Sequence, residues 1–593
     1  MKFLALLLCL PFLVLQTIVS AAPTPPPEVL AAEEARVAVI ERASAASVSI
    51  LEASGQSGGS GVLITPDGFA LTNFHVVAPC GVAMKCGLND GQLYDAVIVG
   101  VDPVGDVALI QLLGRNDFPV AQLGDSDLVQ VGDWVFTAGN PFLLADDFSP
   151  SISYGMISGV HRYQYPAGTL LEYADCLQTD AAVNPGNSGG ALFDAEGQLI
   201  GINGRCSFEK RGRVNVGVGY AISINQIKRF VSHLKSGRIV DHASLGFTVT
   251  TEEIGRVVVD DILDTSDAYR RGLRYDDQIL RFAGREIRTA NALKTALGTY
   301  PRDWTVPLAY RRDGKTYSIR LRLPGLHDPA QLVDMIQQQA EEPSEPPEGS
   351  PPQPENEQED QPLPDIRDLI PETAELPSAV QSRYEEVRGY ANYWYNRQRQ
   401  EQLWQSYISK NALNQMGTNW LIAGSLADDE QFEIRLDGEL GEIRMPMGQS
   451  GAVFSGDLET QLSPPGSGGL LLALHLWQRI IDRGLSKFGE VYYLGQLPEG
   501  PEGELLDCMV GIYGGVEIRF LFLPEVGDLV GIELFSADDM DPCAIRFANF
   551  QEISGRRLPT RWQVRHQEKT FAEMQIETWQ DGDNSSTKSG ATN

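Results

Sequence analysis

The chain lacks an excess of basic residues, and it lacks a long apolar segment beyond its first twenty residues. Its 593 residues include 47 Lys and Arg against 79 Asp and Glu, a formal net charge of −32. Such a surface repels phosphate backbones, so no nucleic-acid partner is expected. No later stretch reaches the ~18 consecutive apolar residues of a transmembrane helix, so no second membrane span is predicted.

Cysteine is scarce, and none of it has the paired CxxC spacing of a zinc site. No metal or other cofactor is therefore expected. Six of the seven cysteines follow residue 21, and an even number in an exported protein favours disulfides. Six cysteines allow 15 connectivities. Their placement suggests the pairs Cys80–Cys86, Cys176–Cys206 and Cys508–Cys543.

Residues 1–21 have the pattern of a secretory signal peptide. A basic start at Lys2 precedes an almost wholly apolar run over residues 3–19, and Val19-Ser20-Ala21 offers the small residues of a cleavage site. Cleavage near Ala21 predicts an exported protein, either periplasmic or secreted. An uncleaved membrane anchor is the alternative interpretation.

Composition divides the rest of the chain into four further parts and a tail. Residues 35–237 hold many short alternating runs separated by turn signals, which predict an all-β barrel or sandwich domain. Residues 240–326 contain short strands and a helix near Ala290–Leu297. Residues 327–377 are predicted to be a disordered linker, because residues 341–375 hold twelve acidic residues and many prolines. Residues 378–580 predict an α+β, strand-rich domain, and residues 581–593 a disordered tail.

Helical patterns appear at several places outside the strands. After a flexible lead at residues 23–34, one covers Glu33–Ala46, and another covers Ile224–Ser236. The apolar run Gly468–Ile481 is predicted to be a core helix rather than a membrane contact.

Ser188 lies in a string suited to a serine nucleophile, residues 184–190, Asn-Pro-Gly-Asn-Ser-Gly-Gly. A nucleophilic serine must stand on a tight turn beside amides that can receive a developing oxyanion, and glycines permit such a turn. The amides of Gly186 and Ser188, together with Asn187, are the candidate oxyanion donors. The string alone is equally compatible with an ordinary turn.

A serine nucleophile needs a base and an orienting carboxylate. His75 precedes the serine at the end of a predicted strand, whereas the rival His161 lies too close to the serine in sequence. Asp106 opens an apolar strand, where a carboxylate is costly without a partner. The rival Asp102 adjoins a proline turn and is interpreted as a solvated or capping residue. The order His75, Asp106, Ser188 is that of the trypsin-like double β-barrel.

Several motifs together resemble the HtrA (Deg-type) serine proteases. They are Thr72-Asn73-x-His75-Val76, Asp102-x-x-x-Asp106-x-Ala108-Leu109, Gly139-Asn140-Pro141, residues 178–190 and residues 217–222. The resemblance spans residues 35–237. It implies an ATP-independent endopeptidase that cleaves unfolded or mislocalised proteins, and it implies a homotrimer. Residues 23–50 contain no aromatic residue, which weakens the inference of a trimer.

The specificity pocket is expected where trypsin-like folds have it, in the segment before the serine and the strand after it. The candidate S1 residues are Ala181, Ala182, Val183 and Asn203. No carboxylate lies at the base position, Ala182, so cleavage after Lys or Arg is not expected and a small aliphatic P1 residue is predicted.

Residues 244–247, Ser-Leu-Gly-Phe, resemble the carboxylate-binding loop of PDZ domains. The resemblance implies that the amides of Leu245, Gly246 and Phe247 bind a peptide C-terminus. Residues 272–277 also match a PDZ stretch of HtrA proteases, except that Asp276 replaces its second glycine.

The last ~200 residues match no catalytic motif. Their helix-then-strand order resembles lipoprotein-carrier (LolA-like) half-barrels, and an α+β scaffold or partner-binding module is the open alternative. For the whole protein, a serine endopeptidase is predicted, and a non-proteolytic chaperone or scaffold with a latent protease domain is the rival hypothesis.

Overall fold

The computed structural model describes residues 25–51, 58–140, 147–164, 172–208, 215–341, 376–414, 416–500, 503–537, 540–567 and 569–582. The predicted signal peptide (1–21), residues 342–375 of the predicted linker and residues 583–593 of the predicted tail lie outside these ranges. Within them, no helix combines the length and the apolar character needed to cross a membrane.

The first β-barrel is closed by six strands in the order β1-β2-β3-β6-β5-β4. The strands are β1 (Ser47–Leu51), β2 (Gly58–Leu63), β3 (Phe69–Thr72), β4 (Ala83–Gly87), β5 (Leu93–Asp102) and β6 (Val107–Leu112). Helix α1 (Pro27–Ala46) precedes β1, and the short helix α2 (Phe74–Val77) follows β3. The predicted flexible lead is wrong from Pro27 onward, because proline suits the first turn of a helix.

The second β-barrel is a seven-stranded sheet in the order β11-β8-β9-β10-β13-β12-β7, closed by pairing of β11 with β12. Its strands are β7 (Gln122–Leu123), β8 (Trp134–Gly139), β9 (Ser151–Gln164), β10 (Tyr173–Thr179), β11 (Ala191–Asp194), β12 (Gln198–Phe208) and β13 (Asn215–Ser223). Helix α3 (Ile224–Lys235) follows and buries Ile227, Phe230 and Leu234. The predicted all-β double barrel is confirmed.

A smaller sheet follows in the order β14-β15-β16-β18-β19, with β17 paired to β16. The strands are β14 (Phe247–Thr251), β15 (Val257–Ile262), β16 (Gln278–Phe282), β17 (Arg285–Glu286), β18 (Thr305–Arg312) and β19 (Lys315–Arg322). The helices are α4 (Asp267–Arg270), α5 (Ala290–Leu297) and α6 (Pro329–Glu341). Strand β14 is an edge strand, so it can receive a further strand. Helix α6 corrects the predicted linker, which was expected to be disordered from residue 327.

The C-terminal region is one eleven-stranded antiparallel sheet, in the order β23-β22-β21-β20-β30-β29-β28-β27-β26-β25-β24. Its helices are α7 (Ser378–Gln381), α8 (Tyr393–Lys410), α9 (Leu470–Arg483) and α10 (Leu485–Phe488). Its strands are β20 (Trp420–Leu426), β21 (Gln431–Leu436), β22 (Leu440–Met445), β23 (Gly448–Val453), β24 (Glu490–Pro498), β25 (Leu505–Tyr513), β26 (Val516–Phe522), β27 (Leu529–Phe535), β28 (Cys543–Ile553), β29 (Arg556–His566) and β30 (Lys569–Asp581). The predicted α+β, strand-rich class is confirmed.

Helix α9 is the centre of the C-terminal core, as predicted for the apolar run at 468–481. Its residues 470–478 are all buried. Trp477 packs edge-on against Trp420 and Trp579, with ring centroids 5.5 Å apart in both pairs, and Trp562 lies 5.7 Å from Trp579. Aromatic side chains of α9, β20, β29 and β30 therefore form a packed cluster within the C-terminal core.

The predicted disulfides are wrong for the cysteines whose side chains are described. Cys508 and Cys543 are free and lie on β25 and β28, separated by two intervening strands. Three strand spacings amount to ~14 Å, whereas a disulfide needs Cα atoms within ~7 Å. Cys176 is free on β10, and β13 separates it from Cys206 on β12.

The remaining predicted pair, Cys80–Cys86, is also absent. Cys86 is a free, buried thiol, and burial raises its pKa well above the usual value. The Cys80 thiol donates a hydrogen bond to the Val76 carbonyl at 3.4 Å.

Candidate active site

His75 and Asp106 form a close hydrogen-bonded pair at the rim of the first barrel. His75 lies in α2, directly after β3, and Asp106 lies in the turn between β5 and β6. The distance from His75 Nδ1 to Asp106 Oδ2 is 2.8 Å, and the His75 amide donates to Asp106 Oδ1 at 3.0 Å. The imidazole is 42% exposed and the carboxylate is fully buried. The pair thus fixes Nδ1 as the protonated nitrogen and leaves Nε2 as the basic one.

The electrostatics of the pair favour a protonated imidazole. Burial lowers the pKa of His75, but the negative charge of Asp106 and its hydrogen bond raise it. The net result is a pKa above the usual value of 6.5. The carboxylate therefore stabilises the imidazolium that forms when His75 accepts a proton.

The backbone of Asp106 is unusual and held from several sides. Its φ is +56°, a left-handed conformation that costs a non-glycine residue free energy. The Asp106 carbonyl accepts from Asn73 Nδ2 at 2.9 Å and from the Phe74 amide at 3.2 Å. These bonds to the segment just before His75 hold the carboxylate under the imidazole.

Tyr173 is a further partner of Asp106 that the sequence reasoning missed. It is 3% exposed on β10, and its hydroxyl donates to Asp106 Oδ2. Its ring lies against Gly204 of β12, where a Cβ would come within 2.6 Å of Cε1. A buried tyrosine usually needs a partner for its hydroxyl, which was the only available sequence signal.

Ser188 lies on the tight turn between β10 and β11, in the second barrel. Gly186 and Gly189 flank it with φ of +98° and +81°. The Ser188 carbonyl accepts from the Ser60 amide at 2.9 Å, and a Cβ on Gly189 would overlap Thr72. The turn therefore packs directly onto the segment that leads to His75.

The hydroxyl of Ser188 does not bond to the imidazole. Ser188 Oγ donates to the Gly204 carbonyl at 3.4 Å, and no hydrogen bond to His75 occurs among the described residues. His75 and Asp106 of the first barrel are thus already paired. The Ser188 hydroxyl instead makes a long, weak hydrogen bond to a backbone carbonyl.

The candidate oxyanion amides differ in whether they already donate a hydrogen bond. The Asn187 amide donates to the Asn184 carbonyl at 2.9 Å, so it is already used within the turn. The amides of Gly186 and Ser188 donate to no acceptor in the described part of the chain. Ser60 Oγ donates to the Gly186 carbonyl at 2.6 Å, which holds the orientation of the peptide unit between Gly186 and Asn187. Gly186 and Ser188 are therefore the two amides available to an oxyanion.

The candidate S1 residues lie together on the second barrel and carry no charge. Ala181, Val183 and Asn203 are buried, and Ala182 is half-buried. Asn203 Nδ2 donates to the Ala191 carbonyl at 2.9 Å, which turns its side chain toward the barrel interior.

The two rivals weighed from the sequence belong to other pairs. Asp102 is buried and bonded to His242 Nε2 at 2.8 Å and to the Gly105 amide at 2.8 Å, so its interpretation as a solvated residue is wrong. His161 bonds to the buried Asp175 at 2.7 Å, a residue that also pairs with Arg285.

The loop over residues 244–247 leads into the edge strand β14. The amides of Leu245 and Gly246 donate to no acceptor that the structure describes, and Gly246 has a φ of +68°. Phe247 is the first residue of β14 and is buried. Asp276, which replaces a glycine of the PDZ pattern, takes the left-handed conformation with φ of +66°, as aspartate tolerates.

Among the described residues, no group of three or more His, Cys, Asp and Glu side chains is arranged to hold a metal ion.

Comparison with known proteins identifies both domains. Residues 59–202 match the family model of the trypsin-like peptidase domain, and residues 243–323 match that of the PDZ domain. The chain is 36% identical over 278 residues to the periplasmic serine endoprotease DegP of Escherichia coli, covering 45% of this chain and 56% of that protein.

Other similar proteins have comparable identities and cover a comparable share of this chain. The probable periplasmic serine endoprotease DegP-like of Chlamydia trachomatis is 35% identical over 44% of this chain and 52% of that protein. Its counterpart from Marinomonas sp. is 34% identical over 47% of this chain and 60% of that protein. A solved HtrA-type protease, AlgW with tripeptide, aligns with 29% identity and a TM-score of 0.41, over 49% of this chain and 98% of that one.

The chain spans a little over half the length of the curated relatives it matches, and the two family models end before the C-terminal sheet. The chain therefore carries a trypsin-like peptidase domain at residues 59–202 and a PDZ domain at residues 243–323, and part of it is similar to the DegP serine endoproteases.

Proposed function

We propose that the protein is a serine endopeptidase in which Ser188 is the nucleophile, His75 the general base and Asp106 its orienter. The observation that carries the proposal is the 2.8 Å bond between His75 Nδ1 and Asp106, formed beside the packed Ser188 turn. This bond leaves Nε2 as the nitrogen that can accept a proton. The match to a trypsin-like peptidase domain supports the same reaction.

The reaction proceeds through an acyl-enzyme. His75 Nε2 takes the proton of Ser188 Oγ as Oγ bonds to the scissile carbonyl carbon, and the carbonyl oxygen becomes an oxyanion. The amides of Gly186 and Ser188 donate to that oxyanion. The imidazolium then gives its proton to the leaving amine as the C–N bond breaks. Water, deprotonated by His75, releases the acyl group and restores Ser188.

The proposed substrates are unfolded or mislocalised proteins, cleaved after a small aliphatic residue. The uncharged set Ala181, Ala182, Val183 and Asn203 supports this specificity, because nothing there would pair with a basic P1 side chain. A peptide library should be cut mainly after Ala or Val. Cleavage chiefly after Arg would contradict the S1 assignment.

The PDZ domain is proposed to bind peptide C-termini at Leu245, Gly246 and Phe247. The unengaged amides of Leu245 and Gly246 and the open edge of β14 support this role. Gly246→Trp should abolish binding of a fluorescent C-terminal peptide, because Ser266 already crowds the position. Unchanged affinity would remove the loop from the binding site.

We further propose that the protein is exported to the periplasm and self-associates, by analogy with the resemblance noted above. The relatives from E. coli and C. trachomatis are named periplasmic. Cell fractionation tests the location. Light scattering tests the homotrimer, for which residues 23–50 supply no aromatic anchor.

A non-proteolytic chaperone or scaffold is the second candidate function. It is favoured by one observation, the bond of Ser188 Oγ to the Gly204 carbonyl in place of His75. A labelled fluorophosphonate separates the two candidates, because it reacts only with an activated serine. Labelling of the wild-type protein but not of Ser188→Ala supports the protease. Absence of labelling, even with peptide substrate or heat, supports the scaffold.

A further inference from the structure

A large cavity lies between the PDZ domain and the C-terminal sheet. Its volume is about 730 Å³, within the usual range of small-molecule sites. One wall comes from the loop at Gly246, helix α4 and strands β18 and β19. The opposite wall comes from strands β24–β29.

The walls of this cavity are rich in arginine, although the whole chain has a net charge of −32. Nine arginines and six carboxylates line it, a surplus of three positive charges. Three of these arginines share one carboxylate. Asp303 pairs with Arg302, Arg322 and Arg519 at 3.2, 2.9 and 2.8 Å.

Arg519 also pairs with Glu517 at 2.6 Å, so three arginines face two carboxylates inside a partly desolvated space. Arg519 is 3% exposed, and Asp303 is 10% exposed. Burial alone raises the pKa of Asp303, but the three guanidinium groups lower it well below its usual value. Asp303 is therefore ionised, and together with Glu517 it balances two of the three positive charges.

Some of the guanidinium groups have unused donors. Arg320 Nε and Arg546 Nη1 are buried and make no hydrogen bond among the described residues. Arg565, also in the lining, has no carboxylate partner within the described ranges. Buried donors without acceptors are destabilising, so such an arrangement favours a bound acceptor.

We propose that this cavity is a binding site for a small organic anion that carries two or more phosphate or carboxylate groups. The planar guanidinium group binds both kinds of oxyanion through paired N–H donors, and several converging arginines suit more than one such group. Because the two walls belong to different domains, the anion bridges the PDZ domain and the C-terminal sheet. The site is separate from the proposed active site at Ser188, and it adjoins the Gly246 loop proposed above to bind a peptide C-terminus.

The test uses the full-length protein and inorganic pyrophosphate as the probe, with binding measured by calorimetry at low ionic strength. Wild-type protein should bind it, and added salt should weaken binding. Arg320→Gln and Arg565→Gln should each weaken it at least about tenfold, because each removes a charged donor. Neither variant breaks an ion pair of the described residues, so both should unfold at the wild-type temperature or higher without ligand.

Arg288→Gln is the matched control, an arginine of the same domain that is 84% exposed and pairs with Glu286 outside the cavity. It should bind pyrophosphate as the wild type does. A citrate titration in parallel distinguishes a carboxylate ligand from a phosphate ligand, and either one bound at the cavity supports the proposal. No binding of either anion, or equal affinity in all three variants, would overturn it. Binding of a hexaglutamate peptide alone would also overturn it, in favour of an acidic peptide.

Discussion

Two His–Asp pairs contain aspartates that lie four residues apart in the first barrel, and their surroundings give the pairs different chemistry. In the pair His75–Asp106, the imidazole is 42% exposed and one ring nitrogen is engaged. In the pair His242–Asp102, both side chains are almost fully buried, and both ring nitrogens are engaged. His242 Nδ1 bonds to the Gly298 carbonyl and Nε2 to Asp102, each at 2.8 Å.

The two imidazoles differ in whether a ring nitrogen can still accept a proton. Both partners of His242 are acceptors, so its ring is held doubly protonated and has no lone pair for a proton. It joins the first barrel to the end of α5 in the PDZ domain. His75 Nε2 makes no hydrogen bond to any residue that the structure describes, so it can accept a proton. The same two residue types therefore make an interdomain contact in one place and a proposed base in the other.

The largest effect is expected on kcat, in a comparison of Asp106→Asn with Asp102→Asn. Asp106→Asn should lower kcat by about 10⁴, the effect of the same change in trypsin, because the imidazole loses its tautomer and its counter-charge. Asp102→Asn should leave kcat of the folded enzyme within a few-fold. Peptide hydrolysis measures both. Equal losses in the two variants would show that the pairs are not functionally distinct.

The second test concerns stability. His242→Ala leaves the buried Asp102 charge without its partner, so unfolding in urea should show a loss of about 3–5 kcal/mol. His75→Ala is the comparison: the buried Asp106 keeps the Tyr173 hydroxyl and the amide of residue 75 as donors, so the loss of stability should be smaller, while activity disappears. A His242→Ala protein as stable as the wild type would mean that the interdomain pair contributes no net free energy.

The pH dependence should run in opposite directions for the two pairs. Both pKa values are raised: burial lowers them, and the adjacent carboxylate more than compensates. Activity requires neutral His75, so it should fall as pH drops through that raised pKa. Folding favours charged His242, so its stabilising effect is complete below about 6.5 and is lost as pH rises through the folded-state pKa.

Activity and unfolding free energy should therefore be measured across pH 5–9 on the same samples. In His242→Gln, the pH dependence of stability above 6.5 should flatten, while the activity profile keeps its shape. A profile of activity that moves with His242→Gln would instead indicate that the interdomain pair titrates together with the active site.

The smallest expected effect belongs to Tyr173→Phe. Loss of the hydroxyl removes one donor from the Asp106 carboxylate and should reduce kcat by about tenfold or less. The carboxylate then interacts more strongly with His75, so the acid limb of the activity profile should move to higher pH. Tyr154→Phe, an exposed tyrosine of the same barrel, is the control. A lower kcat with an unmoved acid limb would indicate a purely structural role for Tyr173.

Local chemistry made much of the fold predictable. The bounds of α5 match the helix predicted at Ala290–Leu297, because its apolar spacing marks them in the sequence. The helix at 470–483 was predictable from its apolar run. The disulfides and the start of the disordered linker were predicted wrongly, because strand order and the extent of α6 depend on contacts far along the chain.

The sequence by itself determined the candidate nucleophile, base and orienter, since Ser188, His75 and Asp106 each lie in a short motif with its own local requirement. Only the tertiary structure decided which aspartate faces which histidine. Asp102 and Asp106 are four residues apart, yet their partners His242 and His75 lie 140 and 31 residues away. The same holds for the arginine-lined cavity, whose residues come from two domains. Such pairings depend on how domains pack, so no local sequence pattern predicts them.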